Sequence, residues 1–311
     1  MRILVIGGAG FIGATLCRKL IADGHHVICL DDLSTGSFSN VSAINNDRFV
    51  FRTRDLLSLN PNDISSKLDQ IYLLACPASP PKYQADPVRT LELCFNGTKR
   101  ALEIAKKTKA KLIFTSTSEV YGDPIVEVQS EEYRGNVNTM GPRSCYDEGK
   151  RVAETLIMEY AKQHGLDYSI ARVFNTYGPY MSPDDGRVVS NFIRQAQSKK
   201  KLTVYGSGNQ TRSFCYVTDL VDGLVKLAGS SEHGPINLGN PEPITIRALA
   251  EKIIRRFGAG AGAEVEFLAL PEDDPKLRCP DISKAIQLLD WEPTIMIDQG
   301  LDLITENFRH A

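Results

Sequence analysis

Short apolar runs alternate with amphipathic stretches through the first half of the chain. Residues 14–23, between the first two runs, repeat apolar side chains at helical spacing. This alternation predicts an α/β fold, a doubly wound parallel sheet with helices on both faces. The predicted strands are residues 2–6, 26–30, 48–51, 70–74, 111–116 and 168–173.

Glycines follow the first predicted strand directly, as Gly7, Gly10 and Gly13 of ILVIGGAGFIG. They let the backbone turn tightly and approach a pyrophosphate, and the helix that follows offers free N–H groups to the phosphates. Phe11 and Ile12 of the same segment are expected to contact the cofactor too. The spacing differs from the commoner G-x-G-x-x-G, but its position between a strand and a helix is the one that the motif requires. The segment predicts a dinucleotide site.

Acidic residues end the next two predicted strands. Asp31 and Asp32 lie where a carboxylate can accept hydrogen bonds from adenosine ribose hydroxyls, although Asp32 could be only a turn residue. A 2'-phosphate would meet a like charge at Asp31, with no arginine beside it, so we expect NAD rather than NADP. Asp55 is a candidate for the adenine edge, or a simple strand cap.

The pattern becomes mixed after Asn175, where Gly, Pro and Asp-rich loops separate shorter segments. We expect a Rossmann-type NAD-binding domain over residues 1–175. Residues 176–311 are expected to form mainly a smaller substrate-binding domain, with residues 214–239 as a segment that could return to the first.

Composition narrows the class of partner. The formal net charge is −2 and no long basic run occurs, so we expect a small-molecule substrate and no nucleic acid. The first strand begins at once and no apolar run reaches the length of about 18 residues that a membrane helix needs, which predicts a cytoplasmic location without a membrane anchor. The scattered cysteines predict reduced thiols, and the histidines form no metal-ligand cluster.

A Tyr-x-x-x-Lys pair, Tyr146 and Lys150, starts a helical pattern downstream of the fifth strand. Four residues along a helix place both side chains on one face, so the ammonium can contact the cofactor ribose and lower the pKa of the phenol, which then acts as a base. Thr117, at the end of that strand, offers a hydroxyl to share the proton. Taken alone, the pair could equally be two surface residues of a helix.

Longer segments carry more specific sequence than these motifs. They are ACPASPPKYQ (75–84), STSEVYGDP (116–124), GPRSCYDEGKRVAE (141–154), RVFNTYGP (172–179), DGRVVSNFIRQA (185–196), LTVYGSGNQTRSFCYVTDLVDGL (202–224), INLGNPE (236–242) and PEDDPKLRCPDISKA (271–285). With them the chain resembles the extended short-chain dehydrogenase/reductase family and, within it, the UDP-glucuronate decarboxylases.

The resemblance implies a reaction. NAD+ takes hydride from C4 of the glucuronate ring of UDP-glucuronate while Tyr146 removes the hydroxyl proton. The resulting β-keto acid loses carbon dioxide, the enolate is protonated at C5, and hydride returns to C4. The products are UDP-xylose and regenerated NAD+.

The resemblance also implies residue roles. Glu119 and Arg278 match positions implicated in decarboxylation and reprotonation, although they could be a locally bonded glutamate and a surface arginine. Arg212 suits the diphosphate because a guanidinium offers paired donors to phosphate oxygens. The other expected substrate contacts are Pro80, Lys82, Tyr83 (which could instead be packing), Ser118, Asn175, Asn191 and Tyr205.

Three positions depart from the family pattern. Leu73 stands where His is frequent, Cys94 where Asn is usual, and Tyr180 where decarboxylases typically carry Arg. Tyr180 removes a cation near the substrate entrance, which could change how the glucuronate or diphosphate is held.

Two alternatives stay open. One is a UDP-glucuronate 4-epimerase, which shares the C4 oxidation. A non-catalytic NAD-binding sensor is the other, although intact Thr117, Tyr146 and Lys150 argue against it. A 4,6-dehydratase is disfavoured because Ser118 stands where such enzymes place an acid.

Family members commonly dimerise through the helix with the Tyr-Lys pair and the helix before it. Residues 90–107 and 146–164 carry apolar residues at helical spacing. The same residues could merely cover the sheet. The resemblance therefore implies a homodimer.

Overall fold

The computed structural model describes residues 1–64, 67–258, 264–270, 275 and 277–309. Residues 271–274 and 276, most of the acidic part of the segment 271–285, lie outside it. A central sheet of seven parallel strands has the order β11-β6-β5-β4-β1-β2-β3. The strands are β1 (Arg2–Ile6), β2 (His26–Asp31), β3 (Phe49–Thr53), β4 (Gln70–Leu73), β5 (Lys111–Thr117), β6 (Tyr168–Val173) and β11 (Ile236–Leu238).

The doubly wound parallel sheet predicted from the sequence is confirmed. The first residue of each predicted strand is within one position of the first residue observed. The apolar runs form strands because both faces of the sheet are covered, so that successive side chains can all be buried. Ile3 and Val5 of β1 face one hydrophobic core, whereas Leu4 and Ile6 face the other.

Helices cover both faces of this sheet. Helices α1 (Phe11–Ala22) and α8 (Val217–Gly229) pack together on one side. On the other side α4 (Pro87–Glu92) continues through a π-helical turn, Leu93–Gly97, into α5 (Thr98–Thr108), and both pack against α6 (Ser144–His164). The remaining α-helices are α2 (Ser39–Ser42), α3 (Pro80–Ala85), α7 (Val188–Gln197), α9 (Ile246–Phe257), α10 (Ser283–Leu289) and α11 (Ile297–Arg309).

A third hydrophobic core lies among α7, α9, α11 and the short strands. These strands form three two-stranded sheets. They are β7 (Thr176–Tyr177), β8 (Leu202–Tyr205), β9 (Thr211–Ser213), β10 (Cys215–Tyr216), β12 (Pro243–Thr245) and β13 (Val265–Leu268). Among the described residues, no helix combines the length and apolar character needed to cross a bilayer.

Candidate active site

One cavity of about 1030 Å³ opens at the carboxyl ends of the central strands. Ligands of doubly wound sheets bind at this edge because the connecting loops diverge there. Asp55 is not among the residues that line the cavity. The predicted site residues that do line it are Gly7, Gly10, Phe11, Ile12, Gly13, Asp31, Asp32, Pro80, Lys82, Tyr83, Thr117, Ser118, Glu119, Tyr146, Lys150, Asn175, Asn191, Tyr205, Arg212 and Arg278.

The glycine segment forms a cradle for an anion. Gly7 has φ +86°, and a Cβ there would lie 2.7 Å from the backbone nitrogen of Ala75, so that only glycine fits. A Cβ at Gly13 would overlap the carbonyl oxygen of Gly7. At Gly10, the N-cap of α1, no side chain caps the helix and the nearest atom to a Cβ is 3.4 Å away. The free N–H groups of α1 thus face the cavity, an arrangement that fits a pyrophosphate.

Asp31 supports this loop from the end of β2. Its Oδ2 accepts the Ala9 N–H at 2.9 Å and its Oδ1 accepts the Leu33 N–H at 2.8 Å. Burial raises the pKa of Asp31, whereas these backbone hydrogen bonds favour its ionised form. The carboxylate therefore both fixes the loop and presents negative charge to the cavity.

Arg89 of α4 pairs with the two other acidic residues of this region. The prediction that no arginine stands beside Asp31 concerned that residue alone, whereas Arg89 Nη2 lies 3.1 Å from Asp32 Oδ2 and 3.2 Å from Asp55 Oδ2. These residues are far apart in sequence, and the fold brings them together. Together with Asp31, these aspartates still outnumber the single Arg89 guanidinium. This part of the cavity therefore remains unfavourable for the 2'-phosphate of NADP.

Tyr146, Lys150 and Thr117 meet at the centre of the cavity. The Thr117 hydroxyl oxygen accepts the Glu119 N–H at 3.2 Å, and a hydrogen bond between the Thr117 hydroxyl and the Tyr146 phenol lowers the phenol's pKa. Burial nevertheless raises the pKa of Tyr146 well above its usual range. Lys150 Nζ donates to the Thr115 carbonyl at 2.8 Å and lies 5.8 Å from the Tyr146 ring centroid. Burial is the largest influence on this pKa, and the lowering of it by Lys150 stays a prediction.

Glu119 lies between guanidinium groups. Its Oε2 accepts from Arg143 Nη2 at 2.7 Å and from Arg278 Nη2 at 3.0 Å, and Arg212 adds a third positive charge nearby. Burial raises the pKa of Glu119, but Arg278 and Arg143 outweigh burial and hold it at about 2. Glu119 is therefore ionised at neutral pH and lies among three guanidinium groups.

Arg278 is fully buried, which excludes the surface-arginine alternative. It is 1% exposed, and its Nη1 donates to the Ser118 carbonyl at 2.8 Å. Tyr83 is also buried and stacks on Tyr146, with ring centroids 5.0 Å apart and an interplanar angle of 4°. Tyr83 thus both packs against Tyr146, the candidate base, and lines the cavity.

The remaining predicted contacts also line the cavity. Lys82 is exposed and Tyr205, on β8, is half-exposed. Asn191, on α7, donates to the Gly186 carbonyl at 2.8 Å, and Arg212, on β9, donates to the Thr211 carbonyl at 2.9 Å. Asn175 follows β6 and is partly buried.

Tyr180 lies in the loop after β7 and contacts α1, next to the glycine cradle. Its backbone has φ +69°, and its ring packs on the Arg18 guanidinium of α1 at 4.3 Å. Its carbonyl accepts from Asn40 Nδ2 at 3.5 Å. Tyr180 therefore contacts α1, the helix that follows the glycine cradle.

Sequence reasoning missed Arg143 and Arg89. Arg143 immediately precedes α6, three residues before Tyr146, and a basic residue so close to the Tyr-Lys pair was an available signal for a site residue. Arg89 had no such signal, because its partners lie 57 and 34 positions earlier in the chain.

Comparison with known proteins places the chain in a family. Residues 3–239 match the NAD dependent epimerase/dehydratase family, which agrees with the predicted cofactor. UDP-glucuronic acid decarboxylase 1 of Xenopus tropicalis is 50% identical over 99% of this chain and 72% of that protein. UDP-glucuronic acid decarboxylase 6 of Arabidopsis thaliana is 50% identical over 99% of this chain and 89% of that protein.

A solved structure agrees with the fold. UDP-glucuronic acid 4-epimerase from Bacillus cereus, in complex with UDP-glucuronic acid and NAD, superposes with a TM-score of 0.90 at 30% identity, covering 100% of this chain and 99% of that one. The glycine cradle, the strand order and the family match lead to the same assignment. The chain belongs to the NAD dependent epimerase/dehydratase family.

Proposed function

We propose that the protein catalyses the NAD-dependent decarboxylation of UDP-glucuronate to UDP-xylose and carbon dioxide through a 4-keto intermediate. The observation that carries this proposal is the cluster of three guanidinium groups, Arg143, Arg278 and Arg212, around Glu119, in the same cavity as Tyr146 and Thr117. A base beside an anion-binding cluster suits a substrate that carries a carboxylate next to the reacting carbon. The decarboxylase relatives support the same substrate.

The glycine cradle holds NAD by its pyrophosphate, and Asp31 and Asp32 receive the adenosine ribose. Lys150, which lines the same cavity, would hold the cofactor ribose. Bound NAD+ supplies the hydride acceptor and donor at C4 and a positive charge that favours the phenolate form of Tyr146. Asp55, held by Arg89, is retained as the candidate for the adenine edge.

Tyr146 accepts the proton of the C4 hydroxyl, and Thr117 donates a hydrogen bond to the phenolate. The negative charge that develops when carbon dioxide leaves is stabilised by Arg278, which Glu119 and the Ser118 carbonyl orient from both sides. Glu119, with a pKa of about 2, does not deliver the proton to C5; it orients the arginine instead.

The rest of the cavity binds the nucleotide portion. Arg212 pairs with the diphosphate, since a guanidinium presents parallel donors. Asn175 and Asn191 donate to sugar or phosphate oxygens, and Tyr205 lies beside the uracil ring. Pro80, Lys82 and Tyr83 border the sugar.

Two parts of the chain share these tasks. Residues 1–175, joined by part of 214–239, bind NAD, and residues 176–311 supply most of the substrate contacts.

The protein acts as a cytoplasmic homodimer. The seven cysteines are free thiols, as a reducing compartment favours. Apolar side chains remain exposed along α4, the π-helical turn and α6, on the two helical segments that the family uses for dimerisation. They are Val88, Leu91, Phe95, Val152 and Met158.

The direct test is incubation of the purified protein with UDP-glucuronate and NAD+, with carbon dioxide and the sugar product followed by mass spectrometry and NMR. Carbon dioxide with UDP-xylose supports the proposal. UDP-galacturonate without carbon dioxide would show a 4-epimerase, and NAD binding without turnover a non-catalytic protein. Tyr146→Phe, which keeps the ring stacked on Tyr83, is expected to bind NAD normally and to lose about 10²- to 10⁴-fold in kcat.

A further inference from the structure

Two thiols lie in contact beside the Tyr146 helix. Cys76 follows β4 in the wall of the cavity, and Cys94 lies in the π-helical turn Leu93–Gly97. Their sulfur atoms are 3.5 Å apart, although 18 residues separate them in the chain. The contact therefore depends on the packing of the π-helical turn against the end of a central strand.

The two thiols have different surroundings. Cys76 is partly exposed and faces the cavity, so a small solute can reach it, whereas Cys94 is 3% exposed. A hydrogen bond from Cys94 lowers the pKa of the Cys76 thiol; burial opposes this effect and the Lys150 ammonium adds to it. The thiolate is the reactive form of cysteine, so the accessible member of the pair is also the more readily ionised one.

We propose that Cys76 and Cys94 form a modification site at which a peroxide, entering through the cavity, converts the dithiol to an intramolecular disulfide. The Cys76 sulfur attacks one peroxide oxygen, the O–O bond breaks, and the departing oxygen takes the thiol proton and leaves as water or an alcohol. Cys94 then attacks the sulfur of the resulting Cys76 sulfenic acid, the S–O bond breaks, and hydroxide leaves as water with the Cys94 proton. The two thiols together give up two electrons and the peroxide gains them.

Formation of the disulfide moves groups at the reaction centre through two contacts, that of Cys94 with Gly149 and that of Ala75 with Gly7. A disulfide needs sulfur atoms about 2.05 Å apart, so Cys76 and Cys94 must approach. Cys94 packs under Gly149, where a Cβ would lie 2.9 Å from the sulfur, and Gly149 lies between Tyr146 and Lys150 on α6. Ala75, next to Cys76, lies under Gly7. The approach therefore displaces the catalytic helix, the glycine cradle or both, and oxidation lowers activity.

The test treats the reduced protein with hydrogen peroxide, blocks the remaining thiols with iodoacetamide and maps the proteolytic peptides by mass spectrometry. A peptide pair joined through Cys76 and Cys94, two hydrogen masses lighter than the separate peptides and separated by dithiothreitol, is expected. Separate sulfinic acids, or a link from Cys76 to another cysteine, would overturn the proposal. Saturating NAD+ should slow the reaction several-fold because Cys76 lines the cavity.

Variants make the assignment specific. Cys76→Ser and Cys94→Ser should each abolish the linked peptide, and either one suffices if the other does not fold. Cys145→Ser is the matched control, because Cys145 is also near the site but donates to the Tyr83 carbonyl at 3.7 Å. This variant should form the disulfide at the wild-type rate.

The predicted loss of activity rests on the proposed function, whereas the mass measurement does not. If the disulfide forms but the reduced protein does not turn over UDP-glucuronate, the result contradicts only the proposed decarboxylase activity.

Discussion

Arg143 determines the charge state of Glu119 together with Arg278. Replacing Arg143 by Ala removes a 2.7 Å charge-assisted hydrogen bond and leaves Glu119 with one direct guanidinium partner. We expect kcat for decarboxylation to fall roughly 10- to 100-fold, the effect of losing one charged hydrogen bond. The pKa of Glu119 should rise from about 2, which moves the acidic limb of the pH–rate profile upward.

The matched control is Arg100→Ala, because Arg100 pairs with Glu103 on the exposed side of α5. This variant should keep both kcat and the pH profile of the wild type. A normal acidic limb in Arg143→Ala would contradict the role given to Arg143.

Asp147, next to Tyr146 on α6, makes folding stability depend on pH. Burial, reinforced by Glu119, raises its pKa to about 8, so the folded protein keeps a proton that the unfolded chain loses near pH 4. This contribution to the free energy of unfolding is fully present below about pH 4 and is lost as pH rises through about 8. Asp147→Asn, which stays neutral, should be the more stable protein by at least about 1 kcal/mol at pH 8.

Urea unfolding of both proteins from pH 5 to pH 8 measures this difference. Glu159→Gln is the control, since Glu159 is an exposed carboxylate farther along α6. Parallel profiles of the wild type and Asp147→Asn would refute a raised pKa at Asp147.

At the scale of elements, the loop after β7 connects the substrate side of the cavity to α1. The ring of Tyr180 packs on Arg18, and the Arg187 guanidinium lies 5.9 Å from the Phe11 ring centroid. Tyr180→Ala removes the first contact, which is worth about 0.5–1 kcal/mol at an exposed site, so NAD should dissociate about two- to fivefold faster. Stopped-flow displacement of NAD measures this rate.

Tyr180→Phe is the matched variant, because it keeps the ring over Arg18. It should release NAD at nearly the wild-type rate. Equal dissociation rates for the wild type, Tyr180→Ala and Tyr180→Phe would show that the loop does not retain the cofactor.

At the scale of the whole molecule, the exposed apolar side chains of α4, the π-helical turn and α6 predict self-association. A charge buried in a dimer interface without a partner is strongly unfavourable. Phe95→Glu should therefore raise the dimer dissociation constant at least about 100-fold. Sedimentation equilibrium measures the constant.

Ile125→Glu is the control for this prediction, since Ile125 is 83% exposed and lies outside these helices. It should leave the dimer intact. A wild-type protein that sediments as a monomer, or a Phe95→Glu variant that remains a dimer, would place the interface elsewhere or exclude it.

The sequence by itself determined the doubly wound sheet and the glycine cradle. Both depend on local patterns: the sheet on apolar runs of strand length, and the cradle on glycines where the backbone approaches Ala75. The Tyr-Lys pair, one helical turn apart, is equally local. Only the tertiary structure decided that Arg143 and Arg278 hold Glu119, that Arg89 pairs with Asp32 and Asp55, and that Cys76 touches Cys94. Most of these partners are far apart in the chain, and even Arg143, close to the Tyr-Lys pair, has its partner 24 residues away. Their proximity follows from the strand order and helix packing, which no local periodicity encodes.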